Sequence, residues 1–281
     1  EKKWKRDRGE RVGHRFYVKC DAVPQCEEAD LPIDPYIFGY WLGDGHSNNA
    51  RITIGKEDYA HLFREICAAG LLTTVLHEDA RTGAWTVGFR SGEKFNRNGF
   101  LPIIRRLGVY GNKHIPEIYL TASPAQRLAL LQGLMDSDGT ISRIELEGKS
   151  RQARVEFSVC NERLASDFHR LARSLGIRTS IVKADAVIDG RVVGTRYRIA
   201  WVPQFNPFRL ERKAALVQEP IKPINKMAIT GVTPVETRPT RCIQVDNDEH
   251  VYLVGELFTP THNTTTVVHW MPYVLCREPQ V

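Results

Sequence analysis

Two nine-residue segments place an acidic residue at the end of what reads as a helix. IFGYWLGDG spans 37–45 and LQGLMDSDG spans 131–139, so the acids are Asp44 and Asp138. Small residues at the third and seventh positions of each segment lie one helical turn apart and would let two helix backbones pack closely. Both carboxylates would then meet at one end of the pair, where their repulsion favours divalent cations such as Mg²⁺ and hence phosphodiester cleavage. In the alternative, each Asp-Gly simply ends its helix with a glycine cap.

A second reactive arrangement lies near the end of the chain, where His262, Asn263 and Thr264 follow one another. The Asn side-chain amide can attack its own main-chain carbonyl, with the imidazole as acid and a hydroxyl ready on the far side. This chemistry would cleave and rearrange the peptide backbone. Because such a triplet also occurs by chance, the prediction depends on the segment before it, CIQVDNDEHVYLVGELFTPT at 242–261.

The helices and strands that would position the two acids follow one another in two similar rounds. The first round, 34–120, opens at Asp34, an N-cap acid followed by proline at the first helical position. The second round, 121–217, opens at Ser123 in the same way and repeats the order of helix and strand signals. A repeat of about 90 residues is too long for a solenoid and predicts an α+β fold of two similar lobes.

The flanking segments read differently. Residues 1–33 begin with a charged stretch and contain a strand-like HRFYVKC, which we interpret as a linker or the remnant of a preceding domain. Residues 218–263 are interrupted by prolines and rich in short β-like runs, which indicates a small β-rich fold. Since the chain starts at Glu1 without a methionine, we expect a fragment of a longer protein.

Composition sets wider bounds. The 281 residues, 42% of them hydrophobic, suffice for one large or two ordinary domains, and the net charge of +6 weakly favours a polyanionic partner. The six cysteines include no CxxC pair, so the pattern supports neither a zinc site nor a disulfide framework. We therefore expect a reducing interior, the cytoplasm, for a chain encoded by a phage or a bacterium. No apolar run is long enough for a membrane span.

The paired helix ends resemble the two LAGLIDADG motifs of monomeric homing endonucleases, over 34–217. The resemblance implies two lobes of αββαββα repeats related by a pseudo-two-fold axis, and a monomer that cleaves a specific site in double-stranded DNA with metal held by Asp44 and Asp138. Motif one departs from the common string at Leu42, where motif two has Asp136. The rival interpretation is a maturase-like module that binds DNA but has lost cleavage.

The same resemblance implies a catalytic lysine in a KxIP segment, which KHIP at 113–116 matches. Lys113 would polarise the attacking water or offset charge on the phosphorane, unless it is a solvated loop lysine. Three lysines qualify as its counterpart in the second lobe: Lys213, Lys222 and Lys226. The residue predicted here is Lys226.

Lobes of this type lay their sheets along the major groove, where arginines contact guanine edges and phosphates. The candidate DNA contacts are basic residues on predicted strands: Arg90, Arg151, Arg154, Arg196 and Arg198. A solvated strand face explains any one of them equally well.

The C-terminal segment resembles the C-terminal splicing blocks of inteins, in which homing endonucleases are often inserted. The resemblance implies that 218–263 is the C-terminal part of a Hint splicing domain, and that 264–281 begins the host protein. The N-terminal splicing half and the rest of the host exteins would then be partners outside this chain. The matching positions are Cys242, Val245, His250, Tyr252, Val254, Thr261, His262 and Asn263.

Cys242 stands where such blocks usually have Asp, and with Thr261 it resembles the subset of inteins whose internal cysteine makes the first attack. A thiol suits acyl transfer because its thiolate is accessible near neutral pH beside a cation or imidazole. His250 would act as acid, base or oxyanion partner. The alternatives are a buried strand cysteine and a purely structural histidine.

The residues after the junction, beginning at Thr264, resemble the entry of a P-loop into its helix. We therefore expect the host to be a P-loop ATPase, for instance a phage terminase or a helicase. A further hypothesis follows, in which the main activity belongs to that ATP-driven host and the insert is a passenger.

Overall fold

The structure is a computed structural model, and the residues that it describes fall into several ranges. They are 2–6, 9–13, 16–19, 21–90, 99–146, 149–217, 226–234, 236, 237, 239, 243, 245, 246, 248, 250–255 and 258–261. The chain forms two compact units: a central unit, Gln25–Pro223, and a terminal unit composed of Glu1–Pro24 and Ile224–Val281.

Helices and strands alternate along the central unit, whereas the described elements of the terminal unit are all strands. In chain order the elements are β1 (Lys2–Arg6), β2 (Gly9–Gly13), β3 (Tyr17–Lys19), α1 (Pro35–Asp44), β4 (Arg51–Gly55), α2 (Tyr59–Ala68), β5 (Leu72–Glu78), β6 (Ala84–Arg90), α3 (Phe100–Arg106), α4 (Glu117–Leu120), α5 (Pro124–Ser137), β7 (Gly139–Leu146), β8 (Lys149–Val159), α6 (Glu162–Ser174), β9 (Ile181–Ile188), β10 (Arg191–Trp201), α7 (Glu211–Ala214), β11 (Lys226–Ala228), β12 (Tyr252–Val254) and β13 (Thr259–Thr261).

The first lobe opens with α1, whose start follows the predicted cap. The Asp34 carboxylate accepts hydrogen bonds from the backbone N–H groups of Tyr36 and Ile37, at 2.9 and 3.1 Å. Strands β4, β6 and β5 then form an antiparallel sheet in that order. Along β4, Ile52 and Ile54 are buried and their neighbours are exposed, so one face of this sheet packs on the core.

The second lobe repeats this plan on a larger sheet. The N-cap Ser123 and Gln126 form a capping box at the start of α5. The sheet has four antiparallel strands in the order β7-β8-β10-β9, and β7 was not predicted from the sequence. In the first lobe an isolated bridge between Gly45 and Ile52 stands at the place of β7. The predicted two-lobed α+β fold is confirmed.

One predicted helix is much shorter than its sequence pattern. The signal at 208–217 predicts a helix of ten residues, but only Glu211–Ala214 is helical. The backbone N–H groups of Arg209 and Leu210 donate instead to the buried carboxylate of Asp136, at 3.0 and 3.1 Å. This tertiary contact holds the start of the segment in an extended form.

The terminal unit joins the two ends of the chain. Strands β1 and β2 form an antiparallel hairpin, and β12 pairs with β13. Strand β3, near the N-terminus, pairs with β11, which follows the central unit. The chain therefore leaves this unit and returns to it. None of the described helices is long and apolar enough to cross a membrane.

Candidate active site

The two motif helices, α1 and α5, approach each other at their glycines. A Cβ atom on Gly39 would lie 2.3 Å from the Leu130 carbonyl oxygen, and one on Gly133 would lie 2.1 Å from the Tyr36 carbonyl oxygen. Both distances are far below a normal contact, so only glycine permits this packing. The predicted close contact between the helices is confirmed.

The packing brings the two motif carboxylates to the same end of the helix pair. Asp44 is the last residue of α1 and Asp138 follows the last residue of α5. Burial and then the charge of Asp138 raise the pKa of Asp44 to about 6. Burial also raises the pKa of Asp138. Each carboxylate therefore holds its negative charge at a cost, which a cation between them would relieve.

Lys113 lies beside this pair. Its Nζ atom donates a hydrogen bond of 2.7 Å to the carbonyl oxygen of Gly43, the residue before Asp44, and lies 5.4 Å from the centre of the Trp41 ring. Burial lowers the pKa of Lys113 to about 8, although the charges of Asp138 and Asp44 oppose that shift. The ammonium and the two carboxylates thus form one electrostatic cluster.

A second lysine, Lys213, lies in the same cluster on the side of motif two. Its buried Nζ atom donates to the carbonyl oxygens of Asp136 at 2.6 Å, Gly139 at 2.8 Å and Ser137 at 3.3 Å. Burial lowers its pKa, against the charges of Asp136 and Asp44. Ser137 and Gly43 are the seventh residues of their motifs, so the two lysines occupy equivalent places in the two lobes.

The structure separates the three lysines that the sequence left open for the second lobe. Lys213 is at the motif carbonyls, Lys222 lies outside the described residues, and Lys226 is the first residue of β11 in the terminal unit. In the sequence all three qualified equally, and the prediction of Lys226 had no pattern that favoured it over the other two. The contacts of Lys213 could not be read from local sequence.

The metal-ligand set is small. Within the described residues there is no group of three or more His, Cys, Asp or Glu side chains that could hold a metal ion. The carboxylates of Asp44 and Asp138 would be the two protein ligands, with further oxygen donors from water or a bound phosphate, as Mg²⁺ accepts. Their raised pKa values and mutual repulsion fit the binding of a divalent cation.

Asp136 stands out in the sequence only as a difference between the motifs, but it has several partners. Its carboxylate accepts 2.8 Å from the Tyr36 hydroxyl, besides the backbone N–H groups of Arg209 and Leu210. It therefore ties α1, α5 and the segment that carries Lys213 together. An acid inside an apolar motif helix was the signal that could have indicated this role.

Three of the predicted DNA-contacting arginines of the second lobe, Arg154, Arg196 and Arg198, lie on the same, outward face of its sheet. Arg154 and Arg196 are exposed, whereas intervening strand residues such as Val155 are buried. Arg198 makes two hydrogen bonds to Glu156, at 2.7 and 2.6 Å, and this pairing lowers the pKa of Glu156. Arg90 ends β6 and Arg151 lies in β8, but their side chains are outside the described residues.

The predicted splicing residues are described only in part. His250 has a positive φ of 49° and its Nδ1 atom is 3.2 Å from the Val245 carbonyl oxygen. Thr261 ends β13 and pairs with Tyr252. Cys242, His262, Asn263 and Thr264 lie outside the described residues.

Among curated proteins, the chain is similar to two replicative DNA helicases named DnaB. The protein from Mycobacterium intracellulare is 32% identical over 253 residues, which are 87% of this chain and 38% of that protein. The protein from Mycobacterium leprae (strain TN) is 42% identical over 45 residues, 16% of this chain and 8% of that protein. The chain thus spans less than two fifths of the length of the curated relatives that it matches.

The solved structures that are similar to parts of the chain include a homing endonuclease and a LAGLIDADG domain. The homing endonuclease I-DmoI in complex with DNA and Ca is 13% identical, covers 66% of this chain and 95% of its own, and has a TM-score of 0.40. The N-terminal LAGLIDADG domain of DUF199/WhiA is 9% identical, covers 62% of this chain and 80% of its own, and has a TM-score of 0.37.

The family of LAGLIDADG-like domains matches residues 125–199. This range lies within the second lobe and includes the whole second motif, 131–139, with Asp138. Residues 125–199 are therefore similar to a LAGLIDADG-like domain, and they include the motif helix that packs against its counterpart at the paired carboxylates.

Proposed function

We propose that the central unit is a metal-dependent homing endonuclease that cuts both strands of a specific DNA site as a monomer. One observation carries the proposal: Asp44 and Asp138 meet at the end of a glycine-packed helix pair, with Lys113 and Lys213 beside them. Two acids and two lysines in equivalent places suit a substrate with two equivalent scissile bonds, as a DNA duplex has.

The side chains have distinct roles in this reaction. Asp44 and Asp138 hold a divalent cation such as Mg²⁺, which supplies electrophilic stabilisation of the reacting phosphate when bound. Lys113 and Lys213 offset the charge that develops on the phosphorane or polarise the attacking water. We assign the second-lobe role to Lys213 in place of Lys226, because the Lys213 ammonium lies against the carbonyl oxygen of Ser137, next to Asp138.

The outer face of the second-lobe sheet is the proposed DNA-binding surface. The exposed Arg154 and Arg196 would contact phosphates or base edges in the major groove. The same role is proposed for Arg151, in β8 of this sheet, and for Arg90, at the end of β6 in the first lobe. Arg198 is held by Glu156, so it would contact DNA only as part of an ion pair.

The terminal unit is proposed to be part of an intein splicing domain. Its assembly from both ends of the chain, through the pairing of β3 with β11, supports an endonuclease inserted in a splicing domain. In this proposal the Thr264 hydroxyl takes the acyl group of the upstream segment from the Cys242 thiol, and Asn263, with His262 as acid, then cyclises and breaks its peptide bond to Thr264. Cys242 makes the first attack, with His250 and Thr261 completing the site. An N-terminal splicing half and the exteins would be its partners, in the cytoplasm.

The proposed host is a replicative DNA helicase. The similarity of most of this chain to a minor part of a mycobacterial DnaB supports a helicase over the terminase that the sequence also allowed. The insert would then interrupt an ATP-driven motor.

The endonuclease proposal is tested on DNA that spans the uninterrupted helicase gene, with Mg²⁺ present. The chain should cut it, and Asp138→Asn or Asp44→Asn should abolish cutting while binding persists. Asp30→Asn, at an exposed acid in the segment before α1, is the matched control and should cut normally. If the variant with both substitutions cut DNA at the wild-type rate, the metal assignment would be refuted. If the unaltered chain bound this DNA but did not cut it, the result would favour the module that binds DNA but has lost cleavage.

The splicing proposal is tested separately, in a protein with both splicing halves restored. Asn263→Ala should block release of the segment that starts at Thr264, and His262→Ala should slow it strongly. Mass spectrometry of the products gives the answer. Unchanged release from Asn263→Ala would exclude the intein interpretation and leave the endonuclease proposal intact.

A further inference from the structure

Lys113 is attached through its backbone to the opposite lobe. Asn161, the N-cap of α6 in the second lobe, donates from Nδ2 to the main-chain carbonyl oxygen of Lys113 at 2.8 Å. Its Oδ1 atom accepts from the backbone N–H of Leu164 at 3.1 Å, which is the ordinary capping bond. One amide side chain therefore starts a helix in one lobe and holds the lysine segment of the other.

The residues after Lys113 continue this attachment along α6. The backbone N–H of Ile115 donates to Asp167 at 2.9 Å. Two residues later, Glu117 accepts two hydrogen bonds of 2.6 Å from Arg170. The segment that carries Lys113 is thus fixed at three successive points on one helix.

The reciprocal attachment runs from the second lobe to α2 in the first. Arg212, the neighbour of Lys213, makes two hydrogen bonds to Asp58, one of them 2.7 Å long. Asp58 stands at the N-cap of α2 and is buried, yet its side chain makes no capping bond to that helix. Arg209 forms a further ion pair with Glu65 on α2. The carboxylate of Asp58 is therefore used for the other lobe and not for its own helix.

We infer that Asn161 and Asp58 are positioning residues, each of which holds the catalytic lysine segment of the opposite lobe. A lysine side chain has many rotamers, so an ammonium is placed accurately only if the backbone beneath it is fixed. The inference rests on the proposed endonuclease function. Since a duplex has two equivalent strands and the two lysines contact equivalent motif positions, loosening one segment should impair cleavage of one strand more than of the other.

The sharpest variant is Asn161→Asp. It keeps the capping acceptor for α6, because Asp and Asn cap equally well, but replaces the donor to the Lys113 carbonyl by a negative oxygen. Arg212→Met tests the reciprocal contact. Glu162→Gln, an exposed neighbour on α6 that pairs with Lys183 on β9, is the matched control.

Strand-specific cleavage is measured on a target duplex labelled on each strand in turn. Asn161→Asp should slow one strand about ten- to a hundredfold and accumulate nicked DNA, and Arg212→Met should do so for the other strand. The control should cut both strands at the wild-type ratio. Equal slowing of both strands, together with a lower melting temperature, would reduce these residues to ordinary interlobe contacts.

A second measurement does not require cleavage. Acetylation of the native chain by acetic anhydride, followed by mass spectrometry, reports how well each lysine is held. Asn161→Asp should raise the acetylation rate of Lys113 several-fold and leave Lys213 unchanged. If the wild-type chain never cuts DNA but this pattern appears, the positioning inference stands and the proposed function falls. Unchanged Lys113 acetylation would overturn the inference whatever the cleavage result.

Discussion

Replacing Gly133 by alanine is expected to separate the two motif helices. In an isolated helix this change would be favourable, since alanine stabilises a helix by about 1 kcal/mol relative to glycine. Here the new Cβ would lie 2.1 Å from the Tyr36 carbonyl oxygen and 2.7 Å from the Tyr40 backbone nitrogen, whereas an ordinary contact is at least 3.4 Å. Both neighbours are backbone atoms of α1, so neither can rotate away.

The cost follows from that geometry. Overpacking a close-packed interior costs about 1–3 kcal/mol when side chains can adjust, and here the whole helix must move. A gap of about 0.5–1 Å also loses a quarter to a half of the dispersion energy of the contacts along the interface. Because both neighbours are backbone atoms, we take the upper end of that range, about 3 kcal/mol, and after subtracting the helix-propensity gain of about 1 kcal/mol we expect the free energy of unfolding to fall by about 2 kcal/mol.

Urea unfolding followed by tryptophan fluorescence measures this loss, because Trp41 is fully buried in α1. Gly194→Ala is the control: it lies in β10 at a glycine whose Cβ would meet nothing within 4 Å. That variant should keep wild-type stability or gain slightly. A Gly133→Ala protein as stable as the wild type would refute the close-packing argument, since the propensity term alone predicts a gain.

Three further outcomes test the site. Lys213→Met should reduce cleavage at least about a hundredfold and Lys226→Met should not, which a side-by-side cleavage assay decides; the reverse result would restore the choice of Lys226. The pKa of Asp44 is raised from its ordinary value of 3.8 to about 6, so its contribution to stability is present below about pH 4 and is lost as the pH rises through 6. Binding of Mg²⁺ needs the ionised form, so affinity measured by calorimetry should rise about tenfold per pH unit up to about pH 6, and a flat profile would exclude this carboxylate as a ligand. Glu156→Gln should release Arg198, strengthen DNA binding, and steepen the dependence of log binding constant on log salt concentration by the amount expected for about one more phosphate contact. An unchanged slope of that plot would mean that the arginine does not face the DNA.

Much of the fold follows from local patterns in the sequence. Asp34 and Ser123 are predicted to cap α1 and α5, and both do so. The small residues of the motifs predict the helix contact, because a missing side chain is a local property with a direct steric consequence. The first strand signal of the second lobe begins at 153, and β7 is missed because its residues directly follow the motif acid without strict alternation.

The residues of the candidate site can be predicted only in part from local sequence patterns. Asp44, Asp138 and Lys113 follow from short motifs, whose residues keep their spacing whatever surrounds them. Lys213 could not be chosen over Lys226 from the sequence, because the choice depends on a tertiary contact, the crossing of the 209–213 segment onto α5 and α2.

Sequence by itself determined which residues could do the chemistry and which helices carry the acids. Tertiary structure alone decided which lysine lies at motif two and that Asp136 binds the backbone just before that lysine. It also decided that each lysine segment is held by the other lobe. The physical reason is range. Capping, helix propensity and glycine sterics act within a few residues, whereas these hydrogen bonds join groups far apart in the chain and form only after the two lobes have packed.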